Sequence, residues 1–439
     1  MIDILPNIIF SILLITSVGY FIYNIKKLIR VIKLGKPIDR SDNPKKRLYN
    51  MIRIALGQSK MVTKPISGFL HVIVYVGFII INIELLEILI DGVTGSHRFF
   101  SKYFNPNFYN FLIASFEILA FLVLISVILF WTRRNIVKIK RFLSSEMNGW
   151  PKFDADNILY FEVVLMLLFL SMNATDLILQ ERNFEGYYKA GSFPISSFIV
   201  PIFDSFETST VYVFERVFWW LHIIGIFFFL NYLYYSKHLH ILLAFPNTYY
   251  ANLENKGKSG ILESVKNEVL LMFYPEKTSQ SNGDVDKFGA SDVLDLNWVQ
   301  LMNAYSCTEC GRCTSECPAN LTGKKLSPRK IMMDTRDRLE KVSKNITINK
   351  GKFVDDGDRL LDNYITKEEL WACTSCNACV EACPINIDPL SIIMDMRQYL
   401  IMEESSAHPD LNNMMNNIEN NGAPWPYNQQ DRELWIQES

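Results

Sequence analysis

The sequence predicts a mainly α-helical protein in two unlike parts. A five-helix transmembrane bundle occupies residues 1–245, and an α-helical domain outside the bilayer occupies residues 300–400. Three observations predict this. Five long apolar runs are confined to the first 245 of 439 residues, Lys and Arg favour alternate loops, and all eight cysteines lie in the polar second part. An ordinary soluble single-domain protein is excluded. Disorder is excluded by an aromatic content of 13%. The polar part has no basic patch, so nucleic-acid binding has no support.

A membrane-spanning helix needs about 20 apolar residues. The runs that qualify lie near 4–25, 66–90, 108–131, 158–180 and 211–236. The first opens MIDILPNIIF, with no basic residue before the apolar run. A cleaved signal would want a positive start and a small-residue cleavage site, so this run is expected to stay as a transmembrane helix.

Loop charges set the orientation. Twelve Lys and Arg lie from Lys26 to Lys64, and six more from Arg133 to Lys152. The other two loops hold only Arg98, Lys102, Arg182 and Lys189. By the positive-inside rule the N-terminus is outside and the basic loops are cytoplasmic. Five crossings then leave the second part in the cytoplasm, beside an inner (cytoplasmic) membrane.

Ionisable groups are costly in hydrocarbon, so each one within a span is a functional candidate. These are His71, Glu84, Glu87, Glu117, Glu162, Asp176, Glu215, Arg216 and His222, with His238 and His240 at the cytoplasmic end of the fifth run. The carboxylates have a plainer reading as interfacial groups or internal pairs, such as Glu215 with Arg216. The histidines carry more. Neutral imidazoles bind haem iron, and two axial histidines suit electron transfer because no iron position stays open. Opposite helix directions put His71 and His240 on the same, cytoplasmic side. His238, two residues away, points to another face. His222 precedes His240 by five helical turns, roughly 27 Å by rise on one face. A second haem there would need a partner near position 81, which is Ile81.

The stretches LHVIVYVGF around His71 and WWLHIIGIFFFLNYLYYSKHLHILLAFP around His222 and His240 resemble the cytochrome b (gamma) subunit of respiratory nitrate reductase. They also resemble membrane subunits of heterodisulfide-reductase-like complexes. The resemblance implies a five-helix haem b domain with His71 and His240 as ligands on the cytoplasmic side. Ile81 departs from the two-haem pattern. One haem b is therefore expected, two being the alternative, with His222 left as either a relict or a quinone contact.

The cysteines form two copies of C-x2-C-x2-C-x3-C-P, 66 residues apart. They are CTECGRCTSECP, with Cys307, Cys310, Cys313 and Cys317, and CTSCNACVEACP, with Cys373, Cys376, Cys379 and Cys383. Three close cysteines wrap one cubane, and the fourth reaches the other. The expected sets are Cys307, Cys310, Cys313 with Cys383, and Cys373, Cys376, Cys379 with Cys317, holding two [4Fe–4S] clusters. Zinc ribbons use paired C-x2-C, and a cytoplasmic site disfavours disulfides. No cysteine is left over for thiol catalysis.

The run PANLTGKKLSPRKIMMDTRDRLE after the first motif resembles the dicluster ferredoxin subunit of heterodisulfide reductases. In that group the dicluster part serves a domain with paired cysteines of CCG type, which is expected here on a separate polypeptide. A cytochrome-b-like part fused to a dicluster part resembles membrane-bound iron–sulfur oxidoreductases. That likeness implies exchange between menaquinone or ubiquinone and a soluble donor such as an electron-transfer flavoprotein.

Residues 246–299 read as a connector: an amphipathic helix, ILESVKNEVLLMF, then a polar linker over 275–291. Residues 318–372 read as helical. The tail over 401–439 is polar, with isolated Trp425 and Trp435, and is a candidate docking segment. No P-loop or GxGxxG supports nucleotide binding. The expected function is quinone-linked electron transfer through haem b and two clusters. Glu84, Glu117, Asp176 and His222 are the candidate quinone or proton groups, since a quinone needs a hydrogen-bonding group and a proton route beside its oxygens. Two rivals stand beside it: a heterodisulfide- or sulfite-reductase-type module delivering electrons to a CCG-type partner, and a haem-free redox-sensing membrane scaffold.

Overall fold

The computed structural model describes residues 4–255, 258, 263–274, 287–426 and 428–437. Among these residues there are helices and no named strand. Five helices are long and apolar enough to cross a membrane: α1 (Leu5–Ile32), α2 (Pro65–Thr94), α3 (Pro106–Asn135), α4 (Trp150–Glu181) and α5 (Thr208–Tyr232). A proline opens each of the first four within its first two positions, where the missing N–H costs nothing. Gly95 ends α2 at φ 74°, a left-handed cap that glycine takes without strain. The helices pack around an apolar core that includes Phe116, Ala120, Phe169, Ile223 and Phe227.

All five expected spans are present, but their ends differ. α1 runs to Ile32, two turns past its apolar stretch. Those turns are basic on one side, yet Leu28, Val31 and Ile32 are buried against residues of the second part. The fifth helix departs further from expectation. It does not continue to His240. A 3-10 turn at Leu233–Tyr235 ends it, Ser236 caps a second turn at Lys237–Leu239, and α6 (His240–Tyr249) starts afresh. The five-turn helical register between His222 and His240 is therefore broken. His222 lies near the middle of the span Thr208–Tyr235.

The second part is made mostly of short helices. These are α7 (Trp298–Ser306), α8 (Arg312–Ser315), α9 (Pro328–Ile348), α10 (Lys367–Ala372), α11 (Ala378–Ala382), α12 (Pro389–Met402) and an exposed α13 (Pro409–Asn421). Leu301, Ile331, Leu339, Val342, Leu370, Ile392 and Leu400 are fully buried in one core. Each such side chain contributes about 1.5–3 kcal/mol of transfer free energy. Within the linker expected over 275–291, Lys287 pairs with Asp295 at 2.6 Å, and Ala290 N–H donates to the Asp395 carbonyl at 3.0 Å. Residues 275–286 of that linker, and 261–262 of the amphipathic segment, lie outside the described residues, and a helix covers Glu263–Phe273. Trp425 and Trp435 are exposed.

The two parts are joined by backbone pairing. Lys36 N–H donates to the Leu296 carbonyl at 2.8 Å, and Trp298 N–H donates back to the Lys36 carbonyl at 3.2 Å. A Cβ on Gly35 would sit 2.6 Å from the Trp298 nitrogen, so only glycine allows this approach. Asn247 donates to the Ile385 carbonyl at 2.7 Å, and Arg329 pairs with Glu146 at 2.7 Å.

Candidate functional site

The two cysteine motifs fold alike. A capping box at Asn297 and Gln300 starts α7, and another at Thr366 and Glu369 starts α10. Each helix ends where its first cysteine begins the loop. Positive φ recurs at the same offsets: Glu309 (56°) and Gly311 (72°) in the first loop, Ser375 (56°) and Asn377 (60°) in the second. This turns successive N–H groups inward. Glu309 N–H reaches Cys307 Sγ at 3.4 Å, and Ser375 N–H reaches Cys373 Sγ at 3.4 Å. Such N–H···S bonds stabilise thiolate charge and tune a bound cluster.

The two motifs also lie close together. Cys383 interacts electrostatically with Cys310 and Cys313, Cys379 with Cys313 and Cys317, and Cys317 with Cys373. Burial pushes the Cys307 and Cys379 thiols up to about 12 and that of Cys383 up to about 11. Left bare, these groups would stay protonated and unreactive. Iron binding requires their deprotonation and offsets that burial. Two adjacent loops that each carry three closely spaced cysteines and a fourth beyond them suit cubanes rather than single ions, so the donor set fits two [4Fe–4S] clusters. Cys376 is exposed, whereas Cys307, Cys317, Cys379 and Cys383 are buried.

Glu309 anchors the first loop. Burial would raise its carboxyl, but Lys237 at 2.6 Å and Arg336 at 2.8 Å outweigh burial and hold it below its usual range. Lys237 belongs to the turn that presents the histidines, so the first cluster loop is clamped to the end of α5.

That turn brings three histidines together. The His71 and His240 rings are 6.5 Å apart between centroids, and the His238 ring is 5.8 Å from that of His240. Two metal–imidazole bonds of ~2 Å each, plus the ring radii, require roughly 6 Å between such centroids. His240 Nδ1 donates to the Lys237 carbonyl at 2.9 Å, which frees Nε2 as a ligand. His71 Nδ1, His238 Nδ1 and the Tyr75 hydroxyl are buried without partners. Unpaired buried polar atoms are rare in native structures, so a group is wanted here, and His71 with His240 fit a bis-His haem. Glu162 lies 3.9 Å from His238 Nε2.

His222 is different. It is 4% exposed, its Nδ1 meets the Leu165 carbonyl at 3.1 Å, and its ring packs on Phe169 at 5.7 Å. Ile80 and Ile81 of α2 belong to the apolar core beside it, so the residues there do not fit a second bis-His haem.

Glu84, Glu87, Asp176 and Glu215 gather at the end of the bundle far from the cluster domain. Arg98 organises them, donating to Asp176 at 2.8 Å, Glu84 at 3.2 Å and Asn173 at 2.9 Å. His97 meets Asp176 at 2.9 Å. Glu87 is held by the Tyr109 hydroxyl at 2.9 Å and the Phe100 N–H at 2.7 Å. Glu215 accepts from Tyr187 at 2.6 Å and pairs with Arg216, as the sequence suggested. Glu117 stands apart, fully buried. It accepts from the Ile195 and Ser196 N–H groups at 3.0 and 3.1 Å and from Asn173, which ties a connecting loop to α3. Sequence reasoning treated Arg98 only as a loop charge and passed over His97, Trp219 and Trp220. The available signal was that buried acids need a counter-ion, and Arg98 follows Glu84, Glu87 and Asp91 closely.

Residues 306–387 match the 4Fe-4S dicluster domain family. The chain therefore carries a 4Fe-4S dicluster domain beside five membrane-type helices. It is 29% identical over 98% of its length to a probable iron-sulfur-binding oxidoreductase, FadF, of Bacillus subtilis, of which it covers 61%. It is 25% identical over 97% of its length to the EtfAB:quinone oxidoreductase of Syntrophomonas wolfei, covering 59% of that protein. At 29% identity over 26% of its length it also resembles one component of a ferredoxin/F(420)H(2)-dependent CoB-CoM heterodisulfide reductase of Methanosarcina acetivorans, covering 56% of that component. The chain thus spans about three-fifths of the length of the two long relatives. No solved structure matches it.

Proposed function

We propose that this chain carries electrons between a quinone in the bilayer and a soluble partner. The route comprises one haem b held by His71 and His240 and two [4Fe–4S] clusters held by the crossed cysteine sets. When bound, these groups each supply one-electron redox chemistry. The chain's own residues do the rest. His240 is fixed in one tautomer by the Lys237 carbonyl. Lys237 and Glu309 lock the first cluster loop to that same turn. The loop N–H groups face the cysteine sulfurs, and the apolar cores exclude water. The exposure of Cys376 in the second motif supports electron exchange there with a flavoprotein or a CCG-type polypeptide. In this reading the N-terminus faces outward and the cluster domain is cytoplasmic, as the loop charges favour.

The observation that carries the proposal is the 6.5 Å spacing of His71 and His240, with unpartnered polar atoms around it, beside a clamped cluster loop. The test is haem and iron content of anaerobically purified, detergent-solubilised protein. The expected result is about one haem and about eight non-haem irons per chain, as two cubanes and one bis-His pair require. Absence of haem overturns the reading and favours the scaffold alternative.

A further inference from the structure

A cavity of about 440 Å³ lies at the end of the bundle far from the cluster domain, among α1, α2, α4 and α5. Its two walls differ in kind. One is aromatic: Phe10 lies 5.5 Å from Trp219, and Trp219 meets Trp220 edge-on at 5.2 Å. The other is polar and carries Glu84, Arg98 and Asp176. Glu84 is 2% exposed; one carboxyl oxygen takes the Arg98 bond, and the other is buried without a partner.

The chemistry of these walls selects a ligand. The volume falls within the usual range for small-molecule sites, roughly 300–1,000 Å³. Five carboxylates line the cavity, from Glu84, Glu87, Asp91, Asp176 and Glu215, against the guanidiniums of Arg98 and Arg216. An anion is therefore repelled. A flat neutral ring with oxygens at its edge suits both walls, because it stacks on indole and takes hydrogen bonds opposite. The cavity borders α1, whose most apolar window is only 11% buried, so the helix beside it faces lipid on its other sides. An apolar tail would run along α1 toward that lipid.

We propose that this cavity binds the head group of a membrane quinone, its ring against Trp219 and Trp220 and one ring oxygen hydrogen-bonded to Glu84. The inference rests on the quinone-linked reading above and narrows its candidates. Glu84 and Asp176 line the cavity, while Glu117 and His222 do not. Arg98 and Asp176 are positioning residues, because they hold the Glu84 carboxyl in place.

The test uses the full chain in detergent and a fluorescent quinol analogue, 2-heptyl-4-hydroxyquinoline N-oxide, whose emission is quenched on binding. Saturable binding is expected, weakened about tenfold by Glu84→Gln, the worth of one hydrogen bond to a charged or buried partner. Ser96→Trp leaves the Arg98 network intact while filling the cavity, and it should abolish binding. Haem and cluster spectra should match wild type in both variants. Wild-type affinity in both variants overturns the proposal, as does loss of binding on His222→Leu or Glu117→Gln with Glu84→Gln unaffected. Missing haem with intact binding sinks the electron-transfer reading and leaves this site standing.

Discussion

Arg312 donates to the Met61 carbonyl at 3.1 Å and to the Lys60 carbonyl at the same distance. Arg312 stands between Cys310 and Cys313, so the first cysteine motif grips the connection that leads into α2. That connection folds back on α2 at Gly68, where a Cβ would lie 2.8 Å from the Met61 carbonyl oxygen. Gly68 is less than one turn before His71. A short covalent and hydrogen-bonded path therefore runs from the first cluster loop to the histidine pair.

Replacing Arg312 by Ala should strand two carbonyls and cost about 2–3 kcal/mol at this contact. Haem reduction by the prereduced cluster domain should slow by about tenfold or more, with haem and iron content unchanged. Arg312→Lys should recover only part, because an ammonium lacks the planar fork. Stopped-flow spectra of the haem band check this, and an unaltered rate in Arg312→Ala would remove the contact from the path.

The crossed ligand sets make a pairing prediction. Cys383→Ser should perturb the same electron paramagnetic resonance signal as Cys310→Ser, and Cys317→Ser the same signal as Cys379→Ser. Each variant should retain about four of eight irons. Grouping of Cys317 with Cys310 instead would show that each motif closes its own cluster.

Haem binding should depend on two histidines. His71→Ala and His240→Ala should each abolish the reduced haem b band, because one remaining imidazole leaves an open axial position. His222→Ala should keep it and lose some stability through the cavity it leaves. Loss of the band in His222→Ala would show that a haem sits in the middle of the bundle.

Asp395 gives a pH signature. Burial carries its carboxyl to about 6, with Gln300 donating at 2.7 Å. Because the folded value exceeds the unfolded one of about 3.9, the folded state binds the proton more tightly. Stability from this group is present at low pH and falls as pH rises from about 4 to about 6. Asp395→Asn should therefore stabilise the cluster domain by about 1–2 kcal/mol at neutral pH. That gain should shrink below about pH 6, as read by urea titration of the cluster absorbance.

Much of this arrangement was legible in the residues, and the failures have physical causes. The spans showed because a bilayer demands uninterrupted apolar runs. The far end of α1 did not show: Lys26, Lys27 and Arg30 look like a loop until Leu28, Val31 and Ile32 are seen to pack on another domain. The dicluster domain was legible from the cysteine spacing, because cluster geometry fixes that spacing locally. The break before His240 was missed, although Ser236 is a good cap and its hydroxyl accepts from His238 N–H at 3.2 Å. Arg98 and its acids were hidden for the opposite reason. Their meaning lies in contacts between segments far apart in sequence, such as Arg98 with Asp176, and no local pattern records them.

The continuous first helix has a mechanical consequence. It leaves the bundle, seats Val31 in the core of the cluster domain, and is wedged at Gly35 against Trp298. The cluster domain is thus bolted to the bundle and is not a tethered shuttle that swings between stations. Exchange between the two halves should be indifferent to solvent viscosity, and any step that slows in glycerol belongs to the arrival or departure of another molecule.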